Sequence, residues 1–324
     1  FHTWWQDVPV AWESYDTQRC VDYKTGERSA GITMWCIYAG LNAHADYLVL
    51  SRGIVTDPER APYLEFAAHY LGVELEATDS VWVAMREHET LPPENNDPDW
   101  FPPKGNFGLW LYQNDAVPGG RSVADWEVTE AKEGRYTRRT DLAGNNPSFY
   151  FDVDDAWLYA DSGSPLTIEI IYLDQGTGSW SLYYDAQDNA EMLAGSIQKQ
   201  DSGEWLTQTF DLNDAYFGNR LPGGGEHPGS DFYVRSSGDD TYFHRFRVFR
   251  HDVVPTPTPL PLPTLTPTPN VAPDDPTPTP APSYLLLRDG VNGYDGTEDT
   301  WIGSWCNREN NPDDGQTPHG NDDF

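Results

Sequence analysis

The order of apolar and polar positions divides the chain into two kinds of pattern. Over the first 112 residues, short apolar runs alternate with helix-spaced ones. "VPVAW" (Val8–Trp12) and "YLVLS" (Tyr47–Ser51) read as short buried strands. Between them, Ser29–Asp46 sets Ile32, Trp35, Cys36, Ala39 and Ala43 at helical spacing. A second helix is predicted over "DPERAPYLEFAAHYLG", with Asp57 as N-cap, Pro58 at the first helical position and Gly72 as the stop. "SVWVAMRE" (Ser80–Glu87) follows as a third strand. Strand, helix, strand, helix, strand predicts a parallel sheet with crossover helices.

After about Val117 the pattern is strand-only. "SFYFDVDD", "LTIEIIYLD", "GSWSLYYDA", "EWLTQTFDL", "DFYVRS" and "YFHRFRVFR" are separated by turn clusters, the arrangement of an antiparallel β-sandwich. "DQGTGS" (Asp174–Ser179) reads as a hairpin connection. Side chains alternate across a strand, so Trp180, Leu182 and Tyr184 are expected to point inward and Tyr183 outward. Trp205 and Phe210 differ in parity and cannot both face inward without a bulge. His244 shares parity with Phe246 and Val248 and is expected to be a buried histidine.

Pro255–Pro282 holds 12 of the 27 prolines, alternating with Thr. Such a run forms neither helix nor central strand. It predicts an extended polyproline-II spacer of about 85 Å, of the kind found between modules of extracellular proteins.

Composition narrows the partners. The 52 acidic and 20 basic residues give a net charge of −32. That balance disfavours nucleic acid and anionic membrane surfaces, which need clustered Lys and Arg. It suits hard divalent cations, which take oxygen ligands. No apolar run is long enough for a membrane-spanning helix. The 13 Trp and 18 Tyr supply enough large apolar side chains for real cores. Cys20 and Cys36 are candidates for a disulfide in an oxidising compartment, or else two small buried thiols.

Three stretches carry resemblances. "IEIIYLDQGTGSWSLYYDA", "GEWLTQTFDLNDAYFGNR" and "GSDFYVRSSGDDTYFHRFRVFR" lie within 118–252, a segment that resembles the galactose-binding-like, jelly-roll sandwich of carbohydrate-binding modules. "LLLRDGVNGYDGTEDTWIGSW" resembles the start of a DNRLRE-type β module, through Gly293-Tyr294, Gly296-Thr297 and Asp299–Ile302. Residues 1–112 resemble the last strands and helices of a (β/α)-barrel of a glycoside hydrolase-like protein. The expected organisation is therefore a partial α/β barrel over 1–112, a sandwich over 113–254, a linker over 255–282 and a truncated module over 283–324. The chain is expected to be a monomeric piece of a larger secreted or cell-surface protein.

Candidate chemistry follows these expectations. In a barrel the active site lies at the C-terminal ends of the strands. Glu13 and Glu87 stand there as the carboxylate pair that glycoside hydrolysis needs, with Asp16 as an alternative. Sugar binding by the sandwich needs aromatic faces with polar neighbours. Tyr183, Trp205, Tyr216 and Asn219 are the candidates, beside the aromatic turn Trp100–Asp115. Asp152, Asp154 and Asp155 are candidate oxygen ligands for a structural calcium. The function these features imply is polysaccharide binding within a modular glycoside hydrolase-like protein, with this chain alone inactive. The alternatives are a structural or adhesion protein built of sandwich spacers, and a fragment of another barrel hydrolase, such as a peptidase or esterase.

Overall fold

The computed structural model describes residues 10–14, 30–50, 55, 58–85, 106–124, 137–161 and 164–251. The linker, residues 283–324, Glu87, Asp16, Cys20 and most of Trp100–Asp115's first half lie outside the described residues.

The N-terminal part begins as its pattern predicts. Strand β1 (Ala11–Ser14) pairs in parallel with β2 (Tyr47–Leu50), and helix α1 (Ala30–Asn42) forms the crossover between them. The Trp12 ring packs so closely on α1 that a Cβ at Gly40 would lie 2.8 Å from it, so this position needs glycine. A 3₁₀ turn at Pro58–Arg60 leads into helix α2 (Ala61–Tyr70), and Gly72 follows with φ 61°. The α2 face of Tyr63, Phe66, Ala67 and Tyr70 is buried.

The third strand departs from the parallel expectation. Strand β3 (Ser80–Ala84) runs antiparallel beside β16 (Tyr242–Arg250), with Trp82 opposite Arg247. It is a strand of the sandwich, not of a barrel. The physical reason lies in its covering. All five residues are buried, because Val81 and Val83 face the sandwich core while Trp82 faces the helices. A strand covered on both faces reads as a continuous apolar run whichever way its neighbours point.

Two sheets form the sandwich. One has the strand order β11-β10-β15-β8-β5, and the other runs β12-β9-β16-β3-β4, with β7 pairing β16 and β6 pairing β7. The strands are β4 (Phe107–Leu109), β5 (Leu111–Asn114), β6 (Val123–Ala124), β7 (Arg138–Arg139), β8 (Ser148–Val153), β9 (Leu166–Leu173), β10 (Ser179–Ala186), β11 (Asn189–Gln198), β12 (Trp205–Leu212) and β15 (Phe232–Ser237). A separate hairpin joins β13 (Leu221–Gly224) to β14 (His227–Ser230). The expected boundary at 112/113 falls within β5, and β3 and β4 pair in the seven-stranded sheet on its N-terminal side. The chain changes sheets between β4 and β5 at Trp110, which takes the left-handed φ of 57° and bridges to Trp82.

The core follows strand alternation. Trp180, Leu182 and Tyr184 are buried between the sheets, with Phe243 5.5 Å and Phe210 5.8 Å from the Trp180 ring. Phe151 packs on Phe246 at 4.1 Å and on Phe232 at 4.8 Å. Burying each of these rings stabilises the fold by roughly 2–3 kcal/mol relative to exposure.

Asp174–Ser179 is not a hairpin. Strand β9 belongs to one sheet and β10 to the other, so this glycine-rich segment carries the chain across the sandwich. Its shape is held by Asp239, which accepts from the backbone N–H groups of Thr177 and Gly178 at 2.8 Å. An added Cβ at Gly178 would lie 2.5 Å from the Ser237 carbonyl oxygen. Buried Lys199 forms an ion pair with Asp239 and donates to the Asp240 carbonyl at 2.6 Å, joining the start of the β11–β12 connection to the same corner.

Candidate functional site

Each sheet has an outer face, and the two are covered differently. On the seven-stranded sheet, α1 and α2 lie over Trp82. Tyr38, Phe66 and Tyr70 surround its ring at 5.0, 5.4 and 6.0 Å. Arg245 reaches across to donate to the Tyr38 hydroxyl at 3.0 Å and pairs with Glu169 at 3.2 Å. Arg247 lies over Phe249, Tyr70 and Phe66 at 4.1, 5.2 and 5.6 Å.

On the five-stranded sheet, register aligns three tyrosines on neighbouring strands: Tyr183 opposite Tyr233, and Tyr233 opposite Tyr150. Tyr183 and Tyr233 stack at 4.9 Å with planes 11° apart, and Tyr150 lies 5.0 Å from Tyr233. Tyr233 is buried within this row, whereas Tyr183 is half-buried at its open end. Burial, and the hydrogen bond it donates to Glu191, push the Tyr233 phenol above its ordinary range, so it stays protonated. Exposed Arg235 lies over Tyr233 at 5.1 Å and over Tyr183 at 5.8 Å. Its Nε donates to Ser148 Oγ at 3.3 Å. Leu193, opposite Tyr183 on β11, is 50% exposed, and Ser181 and Ser196 share a hydrogen bond of 2.7 Å beside it. The β10–β11 side of this face is therefore an open platform with an apolar centre and polar flanks.

The hairpin β13–β14 closes the other side. Leu221 packs with Val117, Tyr150 and Tyr233, and Asn114 Nδ2 donates to the Gly224 carbonyl at 2.9 Å. His227 shares a hydrogen bond with Asp152 and stacks on Tyr112 at 5.4 Å. The Asp152 hydrogen bond raises the His227 pKa. Burial and Asp154 push the Tyr112 phenol up to about 12.

The segment between β12 and β13 is held by two buried carboxylates. Asp185 accepts from Arg220 Nε at 2.7 Å and from the Gly218 N–H at 2.9 Å. Asp231 accepts from the Val153 and Asn219 N–H groups at 2.9 and 3.2 Å, and burial raises its pKa well above the ordinary carboxylate range.

These contacts separate the sequence candidates. Tyr183 stands on the open platform. Trp205 faces the other way, onto the helix side of the seven-stranded sheet, 5.8 Å from His244. The register shift between Phe243 and Arg245 makes His244 an extra residue, buried as expected but beside Tyr38 rather than in the inter-sheet core. Tyr216 lies under the Arg220 guanidinium at 4.2 Å. Asn219 adopts φ 56° and donates to Asp155 at 2.8 Å, which ties it to the loop after β8. No hydrogen bond or ring contact joins Tyr183 to Trp205, Tyr216 or Asn219.

The acidic trio is also dispersed. Asp152 holds His227, Asp154 caps the turn through the Ala156 N–H at 2.9 Å, and Asp155 holds Asn219. Among the described residues, no three His, Cys, Asp or Glu side chains form a group able to hold a metal ion. Asp152 and Asp154 share parity and Asp155 does not, and each of the three is engaged by a different partner. The Glu13 backbone pairs with Val49. Its side chain and all of Glu87 lie outside the described residues, and with β3 antiparallel in the sandwich the barrel-rim argument for Glu87 loses its basis.

Sequence reading missed Tyr233, Arg235, Tyr150, Glu191 and the His227–Asp152 clamp. Part of the signal was available. "DFYVRS" alternates, and with Phe232 and Val234 inward, Tyr233 and Arg235 must face out. The partners on other strands had no such local signal.

No protein-family model and no curated protein matches the chain. Among solved structures it is similar to the C-terminal family 6 carbohydrate-binding module of LamC, a marine laminarinase from Zobellia galactanivorans. That match has 14% identity and a TM-score of 0.25, covering 44% of this chain and 93% of that one. It is similar to a family 6 module of Cellvibrio mixtus lichenase 5A in complex with cellotriose, at 15% identity and a TM-score of 0.19, covering 35% and 70%. A family 29 carbohydrate-binding module matches at 12% identity and a TM-score of 0.26, covering 52% and 87%.

Proposed function

We propose that the chain binds a polysaccharide on the open side of the five-stranded sheet. The observation that carries this reading is the half-buried Tyr183 ring, held rigidly by its stack on buried Tyr233 at 4.9 Å and 11°. A pyranose has an apolar face and a rim of hydroxyls. A fixed phenol ring buries the first, while Arg235, Glu191 and the Ser181–Ser196 pair supply donors and acceptors for the second. The platform is pre-organised, so little ordering entropy is lost on binding. The binding unit spans residues 80–251, within a secreted modular protein whose Thr-Pro segment acts as a spacer. Affinity electrophoresis of the whole chain through glycan-containing gels tests the reading. Retardation is expected on at least one polymer, and Tyr183→Ala should weaken it about tenfold, equivalent to ~1.4 kcal/mol. Free migration in every gel would sink it.

A second reading treats the sandwich as a support for the α/β part. The packing of Tyr38, Phe66 and Tyr70 around Trp82 favours it. In that reading Glu13, at the end of the parallel strand β1, is a catalytic carboxylate of a glycan hydrolase. Its test is release of reducing ends by the whole chain, with loss in Glu13→Gln.

A further inference from the structure

Arg235 differs from five other cations of this acidic chain, each of which is held in an ion pair. Arg138 pairs with Asp115, Arg139 with Asp240, Lys199 with Asp239, Arg220 with Asp185 and Arg245 with Glu169. Arg247 holds no carboxylate, but it is enclosed by Phe249, Tyr70 and Phe66 under α2. Arg235 is exposed and forms no ion pair among the described residues. Its Nε donates to Ser148 at 3.3 Å, it shares a side-chain hydrogen bond with Tyr150 and feels the Glu191 carboxylate, and the rings of Tyr233 and Tyr183 lie beneath its guanidinium. Glu191 acts on Arg235 electrostatically without an ion-pair contact, so the guanidinium keeps an exposed face toward solvent beside the stacking ring.

We propose that the platform is selective for acidic polysaccharide, with Arg235 receiving the carboxylate of a uronic acid whose ring stacks on Tyr183. This rests on the glycan-binding reading above. Arg235 lies opposite Ser181, two positions along the strand pair from the Tyr183–Tyr233 register. A sugar centred on Tyr183 therefore carries its ring substituents over the guanidinium. A uronate carboxylate is attached directly to the ring carbon and is planar, which suits the two parallel N–H groups of an arginine fork. Glu191, at the Tyr233 hydroxyl end, repels a carboxylate and accepts from sugar hydroxyls, so the two charges set the orientation of the ring. The net charge of −32 repels polyanions as a whole, so retention would report this local site and not general attraction.

The test uses the whole chain in 0.15 M salt with polygalacturonate, the same polymer after carboxyl reduction, and a sulfated galactan. Polygalacturonate should bind at least about tenfold more tightly than its reduced form. Arg235→Gln should lose about 10–100-fold on polygalacturonate, the range of a charge-assisted pair, and several-fold less on the reduced polymer, where Arg235 donates only to hydroxyls. Arg235→Lys should recover part of the loss, and thermal melting of both variants should match the parent. Equal or tighter binding to the reduced polymer overturns the inference and leaves glycan binding standing. Equal binding of the sulfated galactan overturns the commitment to carboxylate. Unchanged affinity in Arg235→Gln overturns the role of Arg235. Retention on none of these three polymers overturns this inference, and the broader reading then stands or falls separately on the neutral glycans in the affinity gels.

Discussion

The two outer faces of the sandwich are built alike and end differently. Each carries aromatic rings on adjacent elements with an arginine laid over them. On the seven-stranded sheet the set is Trp82, Phe66 and Tyr70 with Arg247. On the five-stranded sheet it is Tyr150, Tyr233 and Tyr183 with Arg235. The first set is sealed by two helices and becomes a second core. The second is covered only on one side, by a short hairpin, and keeps a ring edge and a guanidinium in contact with water. An aromatic–arginine cluster is thus a packing device or a recognition surface according to what lies above it.

The largest effect that would break this comparison is on the sealed face. Trp82→Ala is expected to cost about 3–5 kcal/mol, because the helices cannot collapse fully into the space left. Denaturant unfolding measures this, and a loss under 1 kcal/mol would mean that α1 and α2 are not seated on the sheet. Tyr183→Ala on the open face should change stability by less than about 1 kcal/mol while weakening glycan binding. Next come the arginines. Arg247→Met should cost roughly 1–2 kcal/mol through lost cation–π contacts, and Arg235→Met under about 0.5 kcal/mol. Equal losses in thermal or urea melts would erase the distinction between the faces.

The smallest effect concerns the hairpin. The His227 pKa is raised in the fold above the 6.5 of a free histidine, chiefly by its hydrogen bond to Asp152. Its contribution is fully present below about pH 6.5 and fades as pH rises through the folded value. Partial exposure limits it to about 1 kcal/mol. Stability of His227→Gln, measured from pH 5 to 9, should lack this fall. A parallel pH profile in parent and variant would remove the clamp.

Local pattern carried much of the fold. Alternation placed Trp180, Leu182 and Tyr184 in the core and Tyr183 on the outside. The helical spacing and glycine stop located α1 and α2. Other features were not legible, for physical reasons. The apolar run of β3 is the same for a strand buried under helices in a parallel or an antiparallel sheet. The glycines of Asp174–Ser179 mark a sharp turn, but whether it joins neighbours or crosses between sheets depends on Asp239, more than 60 residues away. The extra residue at His244 turns one side chain to the opposite face, and a bulge leaves no mark in composition.

By itself the sequence determined which residues are apolar, which alternate and where the chain must turn, since these follow from side-chain chemistry and backbone sterics over a few residues. It therefore specified a sandwich, its core and one outward tyrosine. Tertiary structure decided which outer face is covered, which guanidinium stays exposed beside the stacking ring, and that Asp152, Asp154 and Asp155 serve three separate partners. Those outcomes depend on strand order and on contacts between residues far apart in the chain, where register and covering, not local pattern, set which side chains meet.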